Sequence, residues 1–514
     1  MLRILGTPRT LCDGLTRRDL LQVGALGPLG VGLEDVLAAE SVQAAASSSS
    51  GSSRSSRSSR SSGSVGRGAA KSCILLFPYG SPPTHETFDP KPEAPVEVRG
   101  ELGSIESSLP GLRVCELLPR VSQVMDKVTV ARSLTHQYPL HGVAYALTGI
   151  PTYTPALETK ARDLKHWPFV GSVVEYLDGQ RGIRPPGGLP GNLGLPWLLN
   201  SQTDNPLVNA GVFSGFLSNR YDPVWTDFDG KGLQIAPKNT VPQTKRFLNP
   251  YGGTNPEGRF HMAPSARLSR DVSIRRLGLR RSLLEQFEQG RRHLDESPAV
   301  QSLGRQRQMA MSLLTSSRVR EALDIGREPA SVRERYGMTL FGQTCLAARR
   351  LIESGARFVT VLWDCFGQFA NGGWDTHQYH YPRLKELLLP GFDLAYSALI
   401  EDMSDRGLLD ETLVMWMSEH GRTPKLNSKP GGGRDHWSRA YTSVVAGGGT
   451  AAGRVVGRTT PDGGDVAQTP ISPKDMQATL YHLLGHDPHT TMPDRNGQPH
   501  PIAGSGSLRP ELLG

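Results

Sequence analysis

The sequence lacks most of the features that announce a class. Cysteine is scarce, 5 in 514 residues at Cys12, Cys73, Cys115, Cys345 and Cys365, and none is spaced as Cys-x-x-Cys. This excludes a disulfide framework and a thiolate zinc site of the usual spacing, and leaves buried thiols as the plain reading. No apolar run reaches the ~20 residues that span a bilayer as a helix, so no stable membrane span is expected. Aromatics are 7% of the chain, and no Lys/Arg stripe with interleaved aromatics follows residue 70, which argues against nucleic acid as a partner. The formal charge of +8 is partly local: residues 1–70 hold eight Arg and five acids, +3, leaving +5 for the rest.

What is present divides the chain in three. Hydrophobic residues make up 37% and charged residues 21%, enough apolar surface for a sizeable core. Residues 1–46 read as an export signal: Arg17-Arg18 precede an apolar run diluted by Gly24, Gly27, Gly30 and Gly32, and Ala44-Ala45-Ala46 suit cleavage. This is the twin-arginine pattern, and it implies the twin-arginine translocase as a partner and a periplasmic or extracellular location. Residues 47–70 read as a flexible linker, since thirteen of the eighteen residues 47–64 are Ser and such a tract cannot bury enough surface to offset its ordering entropy.

Residues 71–514 read as one folded domain with an irregular insertion over about 179–335. The apolar run 73–77 predicts a buried strand stopped by Pro78 and Gly80, and a second short run covers 128–131. Gly, Pro and Asn dominate 179–262, which predicts loops and short edge strands. Beyond 336 the rhythm is regular: helix 336–354, strand 357–363, helix 392–405, strands 412–417 and 441–446, helix 474–484. Strands alternating with helices predict an α/β fold with a central, mostly parallel sheet.

Ligands bind beyond the carboxyl ends of such strands, and the residues there carry metal-type donors. Asp375 and His377 follow one strand, Glu419 and His420 another, and Asp435 and His436 follow a run of glycines. Carboxylates beside imidazoles favour Zn²⁺ or Mn²⁺ over Ca²⁺, which prefers oxygen alone. A divalent ion there would polarise a phosphoryl or sulfuryl oxygen.

Seven strings in order resemble one family. They are T-H-E-T-F-D-P-K-P from Thr84, R-S-L-T-H from Arg132, H-G-V-A-Y-A-L-T-G from His141, G-G-W-D-T-H from Gly372, R-G-L-L-D-E-T-L-V from Arg406, S-E-H-G-R-T-P from Ser418 and G-R-D-H-W from Gly433. Together they are similar to the domain-of-unknown-function family DUF1501, exported proteins common in planctomycete-type bacteria and placed in the alkaline phosphatase/sulfatase-like superfamily. The resemblance implies an alkaline phosphatase-like three-layer sandwich and a site built from loops at the strand ends. It departs in two places. Pro78-Tyr79-Gly80-Ser81 stand where the superfamily has a metal-binding Asp after its first strand, and the sulfatase Cys/Ser-x-Pro-x-Arg motif is missing, with Pro139-Leu140-His141 in that region.

The nucleophile is therefore open between Ser81, Thr84 and His141, the last equally suited to binding an anion, a metal or a loop carbonyl. Two functions follow. One is an exported metal-dependent hydrolase of phosphate or sulfate esters, acting on an anionic small molecule or polysaccharide. In it Asp375, His377, Glu419 and His420 hold the ion, His436 and Arg422 face the anionic group, and Asp435 either joins the ligands or orients an imidazole. The other is an exported binding or surface-associated protein that keeps the fold without the chemistry. Export itself is testable: replacing Arg17 and Arg18 together with Lys should strand the precursor inside the cell, and an unchanged exported fraction on a cell-fractionation blot would exclude the twin-arginine route.

Overall fold

The apolar runs of the C-terminal half become the middle of one sheet. The computed structural model describes residues 66–138, 142–151, 154–233, 249–263, 317–367 and 372–514; the export signal, most of the linker, His141 and a large part of the insertion lie outside these. Numbering only strands of the central sheet, they are β1 Ser72–Pro78, β2 Val128–Leu134, β3 Asn192–Leu195, β4 Val224–Asp229, β5 Arg259–Met262, β6 Phe358–Trp363, β7 Thr412–Trp416, β8 Tyr441–Ala446 and β9 Arg454–Val456. Their spatial order is β9-β2-β8-β7-β1-β6-β3-β4-β5, with β1 at the centre. Five neighbouring pairs are parallel and three, β7 with β8, β8 with β2 and β4 with β5, are antiparallel.

β1 shows why the sheet is covered on both faces. Ile74 and Leu76 point into one apolar core, while Cys73, Leu75 and Phe77 point into another. Alternation of side chains along a strand makes these opposite faces. Counting only helices that cover the sheet, α1 is Val143–Thr148, α2 Val170–Gln180, α3 Leu340–Glu353, α4 Leu389–Asp405 and α5 Pro473–Leu483. α3 and α4 pack on the first face and α1, α2 and α5 on the second, giving three layers. The α4 stripe expected from the sequence is real: Phe392, Tyr396, Leu399 and Met403 are fully buried. α5 starts where Ser472 and Asp475 close a capping box, each side chain taking the other's backbone N–H.

Two features depart from a plain alternation of strands and helices. β8 runs antiparallel to β7, and residues 417–440 between them hold a short ribbon and no helix. The stretch 179–262 supplies β3, β4 and β5 and so builds one wing of the sheet. These strands are short and carry Gly, Asn and Asp, which mask their periodicity.

Behind the sheet, the fully buried guanidinium of Arg349 on α3 meets three carboxylates, Glu328 at 3.0 Å, Glu353 at 2.7 Å and Asp402 at 2.9 Å, and Tyr336 donates to Asp402 at 2.9 Å. Burial alone would raise the Glu328 and Asp402 carboxyls, but their Arg partners outweigh it and hold both below the usual range. Depressed carboxyl values stabilise the fold above the unfolded pKa of about 4, and that stability is lost as pH falls through the folded values. Arg349→Met should cost about 1–3 kcal/mol in a denaturant titration at pH 7, because it removes one buried charged partner while Glu328 keeps Arg350 and Asp402 keeps Arg406. Its stability should also fall less than the wild type's between pH 5 and pH 3; a parallel acid profile would show that Arg349 does not set these values.

Candidate metal centre at the strand ends

β1, β6 and β7 are mutually parallel neighbours, so the loops leaving them open on one side of the sheet. The loop after β6 is docked on the end of β1 by Trp374, whose N–H donates to the Tyr79 carbonyl at 2.9 Å. Its indole is buried among Trp363, Phe392 and Trp416, with ring centroids 5.2 to 6.2 Å away, so the next residue, Asp375, inherits a fixed position. Gly80 allows the close approach: its φ is +93°, and a Cβ there would lie 2.3 Å from the Asp375 nitrogen. Buried Arg383 donates to the Asp375 carbonyl at 2.7 Å and to the Gly373 carbonyl. His436 arrives on a two-residue ribbon, with Arg422 opposite His436 and Gly421 opposite Trp437.

The result is a cluster of three donors drawn from two loops. Among the described residues, Asp375, His377 and His436 form the group whose donor atoms lie within 4.8 Å of one another. Asp375 Oδ1 is 3.1 Å from His377 Nε2 and 3.4 Å from His436 Nε2, and the two Nε2 atoms are 3.0 Å apart. Bonds of about 2.0–2.2 Å to a tetrahedral ion put neighbouring donors about 3.3–3.6 Å apart, and octahedral geometry about 2.8–3.1 Å. The observed separations match these edges without rearrangement. The hydrogen bond with Asp375 raises His377 above the ordinary imidazole value, against partial burial and with help from Asp435. Two imidazoles turned on one carboxylate oxygen form a site suited to a cation.

The remaining expected residues fall around this cluster in distinct ways. Asp435 accepts from Nδ1 of His377 at 2.6 Å, the side of the ring away from the shared Nε2 face. It holds the ring rather than joining the donors. His420 is buried, its Nδ1 2.7 Å from the Gly421 carbonyl and its ring centroid 4.5 Å from that of His436. Glu419 is fully buried and accepts from the Gly80 N–H at 2.8 Å and the Ser418 hydroxyl at 2.7 Å, beside the cluster rather than inside it.

Arg422 corrects an expectation. It does not face the cleft as an anion receptor: it is 1% exposed, donating to the carbonyls of Gly80, Ser81 and Arg434 and to Asp375 Oδ1. Ser81, a candidate nucleophile, is 0% exposed, at φ +67°, with its hydroxyl 2.9 Å from that of Ser418 and accepting from His420 N. Its hydroxyl is closed off from solvent. Thr84 is buried in a turn, its carbonyl taking the N–H groups of Thr87 and Asp89, and His141 lies outside the described residues.

Other residues at the strand ends serve the loops rather than the donor cluster. Asp364, directly after β6, turns away and accepts from Trp197, Asn200 and Cys365, with burial pushing its carboxyl up to about 7. Glu86, inside the T-H-E-T-F-D string, is fully buried and pairs with Arg434 at 2.6 Å. His436 also lines a cleft of about 660 Å³ whose walls include His136, Trp437, Arg439 and Asp465. Nothing local in the sequence marked Arg383 or Arg439.

Asp375→Ala, His377→Ala and His436→Ala should each lose bound metal when protein purified without chelator is assayed by elemental analysis. Asp435→Asn should keep the site but weaken it about 10–100-fold, the usual effect of removing a partner that orients a ligating His. Full metal content in all four variants would place the site elsewhere.

Known proteins bear on the family, not the chemistry. No curated protein matches the chain significantly. Among solved structures, overlap is found with the sulfatase PsFucS1 from Pseudoalteromonas sp., at 10% identity, covering 81% of this chain and 68% of that one, with a TM-score of 0.35. The lipoteichoic acid synthase LtaP from Listeria monocytogenes gives 9% identity, 86% and 78% coverage and a TM-score of 0.32. The phosphonate monoester hydrolase SpPMH from Silicibacter pomeroyi gives 11%, 86%, 76% and 0.30. Overlap at that level carries no inference of shared chemistry. The family model for proteins of unknown function DUF1501 matches residues 70–513, and the chain therefore belongs to the DUF1501 family.

Proposed function

We propose that this chain is an exported, metal-dependent hydrolase of phosphate or sulfate esters. One observation carries the reading: Asp375, His377 and His436 present their donor atoms 3.0–3.4 Å apart, and His436 also lines the cleft. The mixed nitrogen and oxygen donor set favours Zn²⁺ or Mn²⁺ over Ca²⁺. Bound there, such an ion supplies Lewis-acid polarisation of an ester oxygen and lowers the pKa of an attacking water.

The chain's own residues do the positioning. Asp435 accepts from Nδ1 of His377 and fixes that ring with Nε2 toward Asp375 and His436, and the Gly421 carbonyl fixes the buried His420 ring beside that of His436. His136 donates from Nε2 to the Glu419 carbonyl at 2.9 Å and accepts from Tyr138 N at 3.1 Å, so it serves as a neutral strut for the Glu419–His420 loop. Burial lowers its pKa, in keeping with that state. The buried positions of Ser81 and Thr84 support water as the nucleophile.

The same sealed hydroxyls also favour the second reading, a protein that binds an anionic ester without cleaving it. Export rests on Arg17-Arg18 and the apolar run after them. Among the described residues no helix is long and apolar enough to cross a membrane. Metal-loaded protein offered aryl phosphate, sulfate and phosphonate esters should turn over at least one class, and Asp375→Ala should lose about 100-fold or more, beyond the loss of a supporting partner. Bound metal with no turnover of any ester, or no bound metal at all, would replace this reading with the binding protein.

A further inference from the structure

We infer that Arg439 selects substrates that carry a second anionic group beyond the reacting ester, with Asp465 holding its place when no substrate is bound. The inference rests on the hydrolase reading for where the reacting group sits. Among the described residues lining the cleft, Arg439 is the one with a permanent positive charge, and it shares that cleft with His436 of the metal cluster. Arg422, expected in this role, is sealed beneath the site with its donors committed.

Arg439 presents its fork to a carboxylate already. Its Nε and Nη2 donate to the two oxygens of Asp465 at 2.6 and 2.8 Å. Both side chains are well exposed, 62% and 42%, and exposed pairs of this kind contribute little to stability. An incoming carboxylate, sulfate or phosphate can therefore take the place of Asp465 on the same fork, for which a guanidinium is suited and an ammonium is not. The fork is also held in the cleft. Its carbon lies 5.7 Å from the ring centroid of Trp437, and the Trp437 indole is anchored on the Gly464 carbonyl at 2.6 Å. Asp465 sits on a turn closed by reciprocal contacts with Thr460, N–H to hydroxyl at 3.0 Å and N–H to carbonyl at 2.8 Å.

Sequence distance sets the reach. Arg439 follows His436 by three residues, and extended chain advances about 3.3–3.6 Å per residue, so the two backbones are at most about 10 Å apart. The substrate class is then a compact dianionic or polyanionic ester, rather than an isolated monoester.

Two nonhydrolysable probes test this by calorimetry on metal-loaded protein: phenylphosphonate and 4-carboxyphenylphosphonate. Wild type should bind the carboxylated probe roughly tenfold more tightly, about the worth of one charge-assisted pair. Arg439→Gln should bring the affinity ratio to about one with metal content unchanged, Arg439→Lys should recover part of it, and Asp465→Asn should raise it by removing the competitor. A wild-type ratio of one, or a ratio that survives in Arg439→Gln, overturns the inference even if esters are hydrolysed. Discrimination without turnover of any ester would sustain Arg439 while removing the hydrolase, and binding of neither probe would remove both.

Discussion

The site depends on one buried cation. Arg422 is sealed from solvent and holds together segments that are far apart in the chain: the carbonyls of Gly80 and Ser81 after β1, the carbonyl of Arg434 before the ribbon, and the carboxylate of Asp375 after β6. A guanidinium buried without partners would cost several kcal/mol. The strand-end loops are thus obliged to converge on it, and the convergence places Asp375 against the two imidazoles.

A second buried pair repeats the principle one layer out. Arg434 directs its donors to Glu86 and to the carbonyls of Thr423, Pro424 and Val98. Burial alone would raise the Glu86 carboxyl, but Arg434 and His380 outweigh it and hold it far below the carboxylate range. His380 in turn lies 2.8 Å from the hydroxyl of Thr376, next to Asp375. The loop after β1, the loop after β6 and the segment before His436 are therefore tied by charge as well as by packing. Rigid placement of this kind is what a preformed ion site requires, since donor positions must be right to a few tenths of an ångström.

The sheet contributes direction. Parallel β1, β6 and β7 deliver three loops to one side, and the aromatic floor of Trp363, Trp374, Trp416 and Phe392 keeps those loops from sinking into the core. Outside this floor the cleft wall bears exposed charge at Arg439 and Asp465, where exchange of partners costs little. A rigid donor cluster thus stands beside an adaptable rim.

Much of this was legible in the sequence because it is local. Continuous apolar runs at 73–77, 357–363 and 412–417 report strands buried on both faces, and the spacing of Phe392, Tyr396, Leu399 and Met403 reports a helix face; neither depends on partners. That Asp375, His377, Glu419, His420 and His436 are metal-type donors at strand ends was legible, with Glu419 and His420 expected in the ion's shell and His436 toward the anion. Which donors meet was decided only by tertiary structure. Asp435 and His436 are adjacent in the chain, yet the ribbon pairing turns one to the back of His377 and the other to its front. Glu419, His420 and Arg422 read alike as site residues, but the close approach at Gly80 draws Arg422 and Glu419 beneath the loops. The burial of a charged side chain is a property of everything packed around it, and no pattern along the chain records that.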